Sequence, residues 1–367
     1  MRAAVLEEAA RPIVLRDDVD VASPRAGQVR VRVTHCGVCH SDLSLADGVF
    51  PSPTPIVLGH EAAGVVDAVG PDVPGLAPGD HVVLTPVPPC GTCYWCVRGE
   101  PGVCVNAQNI ATNTFPDGTT GLSRGGAVVY RGVGLGGFGE YVLTTATGAV
   151  KIDPDVPLEV ACVIGCAVQT GVGAVLNTAR VEEGATVLVM GLGGIGLSIV
   201  QGARVAGAAR IIVADPVAAR RDAARRFGAT DLIDPTAEDT ASRALELTGV
   251  GVDYAFDAVG RAALIQAGMA ACRNGGTTVA VGAAPLEDVI TIAPAALFTL
   301  TEKRLIGCAL GSCNSVREIP RLLALWRAGR LDLPGLITAR RPLAEINQAM
   351  DDLRASRGIR TVLQLER

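Results

Sequence analysis

Two patterns of apolar residues divide the chain. Between Thr186 and Leu310, short β-branched runs alternate with Ala- and Arg-rich stretches of helical period, the signature of strands joined by crossover helices in a parallel sheet. The expected strands are Thr186–Met190, Arg210–Asp215, Asp231–Ile233, Val252–Ala258, Thr277–Gly282 and Arg304–Leu310. Helices are expected between most of them, such as Val217–Phe227, stopped by Gly228, and Arg261–Cys272, ending near Gly275. Six strands connected in this way fit one doubly wound sheet. The first ~165 residues instead cluster or alternate β-formers over short stretches such as Arg30–Val33 and Gly64–Val69, separated by turns such as Pro78-Gly79-Asp80, which predicts an all-β region with long loops. After Leu310 an amphipathic helix around Ile319–Ala328 and a strand over Arg360–Leu365 are expected to return to that first region. No internal repeat or low-complexity tract interrupts the pattern.

Composition narrows the function classes. At about 150 residues per domain, a chain of 367 residues makes two domains. Acidic residues number 37 against 32 basic ones, for a net charge of −5 without any Lys/Arg run, so nucleic acid and membrane surfaces are not expected partners. The opening residues Met1–Glu8 carry acids where a secretory signal needs an apolar stretch. The weakly polar stretch Val289–Thr301 is broken by Pro294 and is shorter than the roughly 18 apolar residues of a membrane span. A cytoplasmic protein is expected. In that reducing setting 11 cysteines are hard to explain as disulfides, and six of them stand at ligand-like spacing.

Cys90, Cys93, Cys96 and Cys104 lie on a Gly/Pro-rich loop at spacings of three, three and eight, suited to wrapping one ion. Four thiolates close a tetrahedral zinc site with no position left for substrate; an iron–sulfur cluster is the alternative for such a set. A second set is dispersed: Cys39 in Cys36-Gly-Val-Cys39-His40-Ser41-Asp42, His60 beside Glu61, and Cys166 after Gly165. Singly, these are weak signals. If the three converge, two thiolates and an imidazole bind zinc and leave a fourth position open, as a catalytic site requires. Gly191, Gly193, Gly194 and Gly196 follow the first strand of the parallel sheet and open a helix, and Asp215 closes the next strand 19 positions after Gly196. Glycines there permit a tight turn and close approach of a pyrophosphate to a helix N-terminus, while the carboxylate accepts from a ribose 2′-hydroxyl. Asp215 would repel a 2′-phosphate and Pro216-Val217-Ala218 offers no cation, so NAD(H) is favoured over NADP(H). Arg220, with Arg221 beside it, is the nearest cation and is counted among the cofactor-binding residues.

Together these motifs, in this order and over essentially the whole chain, resemble the zinc-dependent medium-chain alcohol dehydrogenases. The resemblance implies α/β plus all-β architecture: a GroES-like catalytic domain over residues 1–168 and 311–367, carrying a zinc lobe at 88–106, with an inserted Rossmann NAD-binding domain over residues 169–310. It implies two zinc ions per chain, a catalytic one on Cys39, His60 and Cys166, with Asp42 and Glu61 behind it, and a structural one on the four-cysteine lobe. Ser41 would take the alcohol proton. Thr170, Val259 and Gly260 would lie along the cofactor, with His40 and Arg360 on its pyrophosphate.

Where many relatives end the proton relay in a histidine, this chain has Ser44. Relatives that oxidise a glutathione adduct of formaldehyde carry an arginine after the zinc lobe and an acid at the pocket mouth; Gln108 and Phe50 stand here. Pro86 replaces a bulky aromatic ring, widening the expected pocket enough for aryl or branched alcohols. The long stretch from Cys104 to Cys166 resembles the dimeric members, so at least a homodimer is expected, with a tetramer as the alternative. The expected activity is reversible hydride transfer between a primary alcohol, aromatic ones included, and NAD. A thiol-dependent formaldehyde dehydrogenase and a non-catalytic zinc protein, redox-sensing or nucleic-acid-binding, are the competing readings; the acidic charge and the complete glycine turn oppose the last.

Overall fold

The structure is a computed structural model that describes residues 1–292 and 294–365. It divides into two compact units: residues 1–167, 313–328 and 333–367 form one, and residues 168–312 with 329–332 form the other.

The first unit is built on a seven-stranded sheet. Its order is Ala149–Lys151, His81–Leu84, Glu61–Val69, Gln28–Gly37, Arg360–Gln364 and Ile337–Pro342, with Tyr141–Thr145 pairing with the strand Gln28–Gly37. All pairings are antiparallel except the last two strands, which run parallel. A four-stranded sheet and a three-stranded sheet, the latter made of Asp20–Val21, Leu122–Arg124 and Ala127–Val128, complete the β structure. Alternation places Val29, Val31 and Val33 in a core with Leu6, Ile56, Leu58 and Phe138, while Arg32 between them faces out. Two irregularities interrupt the pairing of Gln28–Gly37 with Glu61–Val69, yet Gly37 still lies opposite Glu61 at its end. That pairing requires glycine: a Cβ at Gly37 would stand 2.3 Å from Oε2 of Glu61.

The second unit carries one six-stranded parallel sheet. Its order is Asp231–Ile233, Arg210–Ala214, Thr186–Met190, Val252–Asp257, Cys272–Ala280 and Arg304–Gly307. Helices Gly194–Ala206, Ala218–Phe227, Thr240–Thr248 and Ala262–Ala271 supply crossovers. Strand order reverses beside Thr186–Met190, where doubly wound sheets bind ligands. Several ends differ from those read off the sequence. The strand expected over Thr277–Gly282 begins at Cys272, and the one expected to reach Leu310 stops at Gly307. Leu310, Gly311 and Ser312 then turn with φ of 46°, 68° and 51°, a left-handed path that no strand can follow. Among the described residues no single helix is long and apolar enough to cross a membrane.

Candidate functional site

The strand ends of the first unit assemble a buried cluster. Cys39 follows the strand Gln28–Gly37, His60 precedes Glu61–Val69, and the opposition of Gly37 and Glu61 sets these two ends side by side. Cys166 arrives from the turn Cys162–Gly165, packed so closely that a Cβ at Gly165 would lie 2.5 Å from the Leu84 carbonyl oxygen. Ligand atoms of Cys39, His60, Glu61 and Cys166 all lie within 4.8 Å of one another.

Asp42, fully buried, organises this group. Its Oδ1 accepts from the N–H of Gly59 at 2.8 Å and from Nδ1 of His60 at 3.0 Å, and its Oδ2 accepts from the N–H of Cys39 at 3.2 Å. Because a carboxylate only accepts, Nδ1 carries the proton and a neutral His60 keeps its lone pair on Nε2. That Nε2 is buried without a hydrogen-bond partner. An orphaned imidazole nitrogen among two thiols and a carboxylate fits a zinc ion, whose attraction replaces the missing bond.

The groups of the cluster shift one another's protonation strongly. A hydrogen bond from Cys166 holds the Cys39 thiol well below its ordinary value, against burial and with help from His60, and the same bond together with burial raises Cys166. Burial works against protonation of His60, but the charges of Asp42 and Cys39 outweigh it and raise its value. Burial pushes Glu61 up to about 7, with Arg360 opposing. The Arg360 side chain, almost wholly buried, stands 3.5 Å from Glu61 Oε2 and donates from Nη1 to the Val38 carbonyl at 2.7 Å. The structure thus places Arg360 beside the cluster and pairs it with a carboxylate, a neighbour that its sequence context did not reveal.

Ser41 and Ser44 are half-buried on the helix His40–Ala46, whose first residue, His40, is exposed. Pro86 is buried, Phe50 half-buried and Gln108 exposed.

The four-cysteine lobe forms a second cluster near the surface. All four sulfurs lie within 4.8 Å of one another, with Cys90–Cys96 at 4.0 Å and Cys93–Cys104 at 3.8 Å. A tetrahedron of thiolates about 2.3 Å from zinc has edges of about 3.8 Å, so the spacing fits. Backbone N–H groups of Cys93 and Cys90 point at the sulfurs of Cys90 and Cys104, each at 3.3 Å. Burial opposes ionisation of Cys90, yet backbone donors at Thr92 and Cys93 bring it down to about 6.

In the second unit, the helix Gly194–Ala206 begins at Gly193 with no side-chain cap, leaving its first N–H groups for another acceptor. A Cβ at Gly196 would lie 1.8 Å from the Gly191 carbonyl oxygen, so this turn closes only around glycine. Asp215 is buried and accepts from the N–H of Leu192 at 2.7 Å and of Val217 at 2.8 Å, which holds its carboxylate over the glycine turn. The donor set fits a dinucleotide: free helix N–H groups for phosphate and a fixed acceptor for ribose. Arg220 and Thr170 are buried, Gly260 is buried, and Val259 is exposed. Asp257, absent from the sequence expectations, accepts from the N–H groups of Val259 at 3.0 Å and Gly260 at 3.1 Å and so fixes that turn. Its only sequence signal was its place at the end of a strand.

The chain matches the alcohol dehydrogenase GroES-like domain over residues 25–154 and the zinc-binding dehydrogenase family over residues 194–326. It is 38% identical to alcohol dehydrogenase class-3 of Myxine glutinosa over 99% of this chain and 97% of that protein. Among solved structures, an alcohol dehydrogenase zinc-binding domain protein from Burkholderia ambifaria superposes with a TM-score of 0.93 at 35% identity, covering 100% of this chain and 99% of that one. Benzyl alcohol dehydrogenase from Acinetobacter calcoaceticus superposes at 0.94 with 31% identity and the same coverage.

Replacing Asp42 tests its organising role. Asp42→Ala would strand three buried donors, at about 1–3 kcal/mol each, so a loss of at least about 3 kcal/mol is expected from urea unfolding. Asp42→Asn, which still offers an oxygen, should lose less. An unchanged unfolding midpoint in Asp42→Ala would show that the cluster is held elsewhere.

Proposed function

Because the chain belongs to the zinc-dependent medium-chain alcohol dehydrogenase family, we propose that it interconverts primary alcohols, aromatic ones included, and their aldehydes using NAD(H). The observation that carries this reading is the convergence of Cys39, His60 and Cys166 around an unpartnered His60 Nε2. Cys39, His60 and Cys166 would hold a catalytic zinc, and Cys90, Cys93, Cys96 and Cys104 a structural one. When bound, the catalytic ion supplies Lewis acidity that lowers the pKa of an alcohol, and NAD supplies the hydride acceptor.

The chain's own residues do the rest. Asp42 keeps the His60 proton on Nδ1 and the ring in register. Ser41, two residues after Cys39, takes the hydroxyl proton at Oγ. Ser44 lacks a basic nitrogen, so the proton leaves through hydroxyls and water, and oxidation should speed up toward alkaline pH. Asp215 binds the adenosine ribose. A buried Pro86 leaves width for an aryl group, and the likeness to a benzyl alcohol dehydrogenase supports that substrate class. Gln108 and Phe50 provide no charge for a glutathione adduct, which places thiol-dependent formaldehyde oxidation second. Eleven cysteines, all free thiols in the structure, support a reducing, cytoplasmic setting.

The strand Arg304–Gly307 ends its sheet with one edge unpaired among the described residues, and Leu286, Val289, Leu297 and Leu300 are exposed in the preceding segment. We assign this edge to a second copy of the chain. Light scattering should give twice the chain mass, and Leu300→Glu should shift it toward monomer; a monomeric wild type sinks the assignment.

Metal analysis of purified protein should return two zinc ions per chain. Cys39→Ala should keep one, unfold cooperatively and lose turnover, whereas Cys93→Ala should lower the melting temperature. Equal loss of activity with unchanged melting in both variants would contradict separate roles.

Benzyl alcohol should be oxidised with NAD in preference to NADP, without added thiol, and Ser41→Ala should lower kcat/KM by on the order of a hundredfold. Asp215→Ser should narrow the NAD preference by roughly one to two orders of magnitude, at 1.4 kcal/mol per tenfold. Oxidation of formaldehyde only, and only with glutathione, would overturn the substrate reading.

A further inference from the structure

The ribose end of the dinucleotide site contains a cation that is already engaged. Parallel register pairs Ala214 with Ile233, so Asp215 and Asp234, each the next residue, emerge side by side from the carboxyl ends of neighbouring strands. Arg221, on the helix Ala218–Phe227, bridges them: Nη1 donates to the Asp215 carbonyl oxygen at 2.6 Å and Nη2 donates to Asp234 Oδ2 at 2.7 Å. Asp234 is itself held, because its Oδ1 accepts from the N–H and Oγ1 of Thr236 at 3.0 and 2.6 Å. The guanidinium is therefore fixed at both ends, and only 14% of the side chain is exposed.

A 2′-phosphate would bring negative charge against Asp215, and a site accepts it only if a cation is available to pair with it. Arg221 is bonded to the backbone of Asp215 itself, which makes it the natural donor for that phosphate. We propose that Asp234 is a specificity-determining positioning residue: by holding Arg221 it withholds that guanidinium from a 2′-phosphate and so reinforces selection of NAD(H) by Asp215. The inference rests on the assignment of Asp215 to the ribose. Asp234 touches no part of the cofactor in this role; it acts through Arg221.

The test is binding of two fragments, 5′-AMP and adenosine 2′,5′-bisphosphate, followed by calorimetry with the full-length protein. Asp234→Asn keeps an oxygen for Thr236 but removes the charge that holds Arg221. It should bind the bisphosphate about tenfold more tightly than wild type does, with AMP affinity within about threefold. Arg221→Met added to Asp234→Asn should abolish the gain. Bisphosphate affinity unchanged in Asp234→Asn, or a gain that survives Arg221→Met, overturns the proposal. Asp215→Ser separates the two assignments: if it leaves the AMP-to-bisphosphate ratio untouched while Asp234→Asn still gives an Arg221-dependent gain, the ribose assignment fails and takes with it the reinforcement of Asp215, leaving only the hold of Asp234 on Arg221. A changed ratio in Asp215→Ser with no gain in Asp234→Asn removes Asp234 alone.

Discussion

Both oxygens of Asp42 are committed inside the protein, and the three donors they satisfy belong to two separate stretches of chain, Cys39 on one side and Gly59 with His60 on the other. A buried carboxylate survives only when its acceptor capacity is used, so the two stretches must arrive together or not at all. The antiparallel pairing that ends with Gly37 opposite Glu61 brings them within reach, and the space left by Gly37 admits the Glu61 side chain. Sheet register, one glycine and one aspartate thereby set the orientation of His60, and with it the direction of the unpartnered Nε2.

The second unit uses carboxylates in the same way but at its sheet edge. Asp215 is held by the N–H groups of Leu192 and Val217, and Asp257 by those of Val259 and Gly260. Each stands at or just past the end of a parallel strand, where backbone N–H groups of the following turn converge. The fixed acceptors sit where the fold opens, and the uncapped helix at Gly193 supplies the donors. Acceptor and donor are thus preorganised by backbone, and little conformational freedom is left to lose on binding.

The cysteines separate by environment rather than by number. Six lie in the two clusters. Five lie outside them, and burial raises four of these, Cys36, Cys162, Cys272 and Cys308, which keeps those four in the protonated, unreactive form. Within the clusters the thiols divide: Cys39, Cys90 and Cys93 are lowered, while Cys96 and Cys104 are raised by burial and Cys166 by the Cys39 sulfur and burial, so what marks the clusters is the meeting of their sulfurs and not a uniform shift.

Much of this was legible in the sequence wherever the signal is local. β-branched runs alternating with helical periods specify a parallel sheet, the glycine turn carries its geometry in its composition, and four cysteines within 15 residues can meet whatever surrounds them. The residue types Cys39, His60 and Cys166 were also readable, but their meeting came only from the family resemblance and not from the residues themselves, because it depends on strand register and on the packing of Gly165 against Leu84. The same holds for Arg360, whose pairing with Glu61 joins residues almost 300 positions apart, and for Arg221, whose partner Asp234 is chosen by the alignment of two strands. Strand ends such as Gly307 escaped for a related reason: the left-handed turn at Leu310–Ser312 is stabilised by what it packs against. Propensity and periodicity act over a few residues and are written in order along the chain. Burial, charge pairing and register act between residues that only the folded chain brings together.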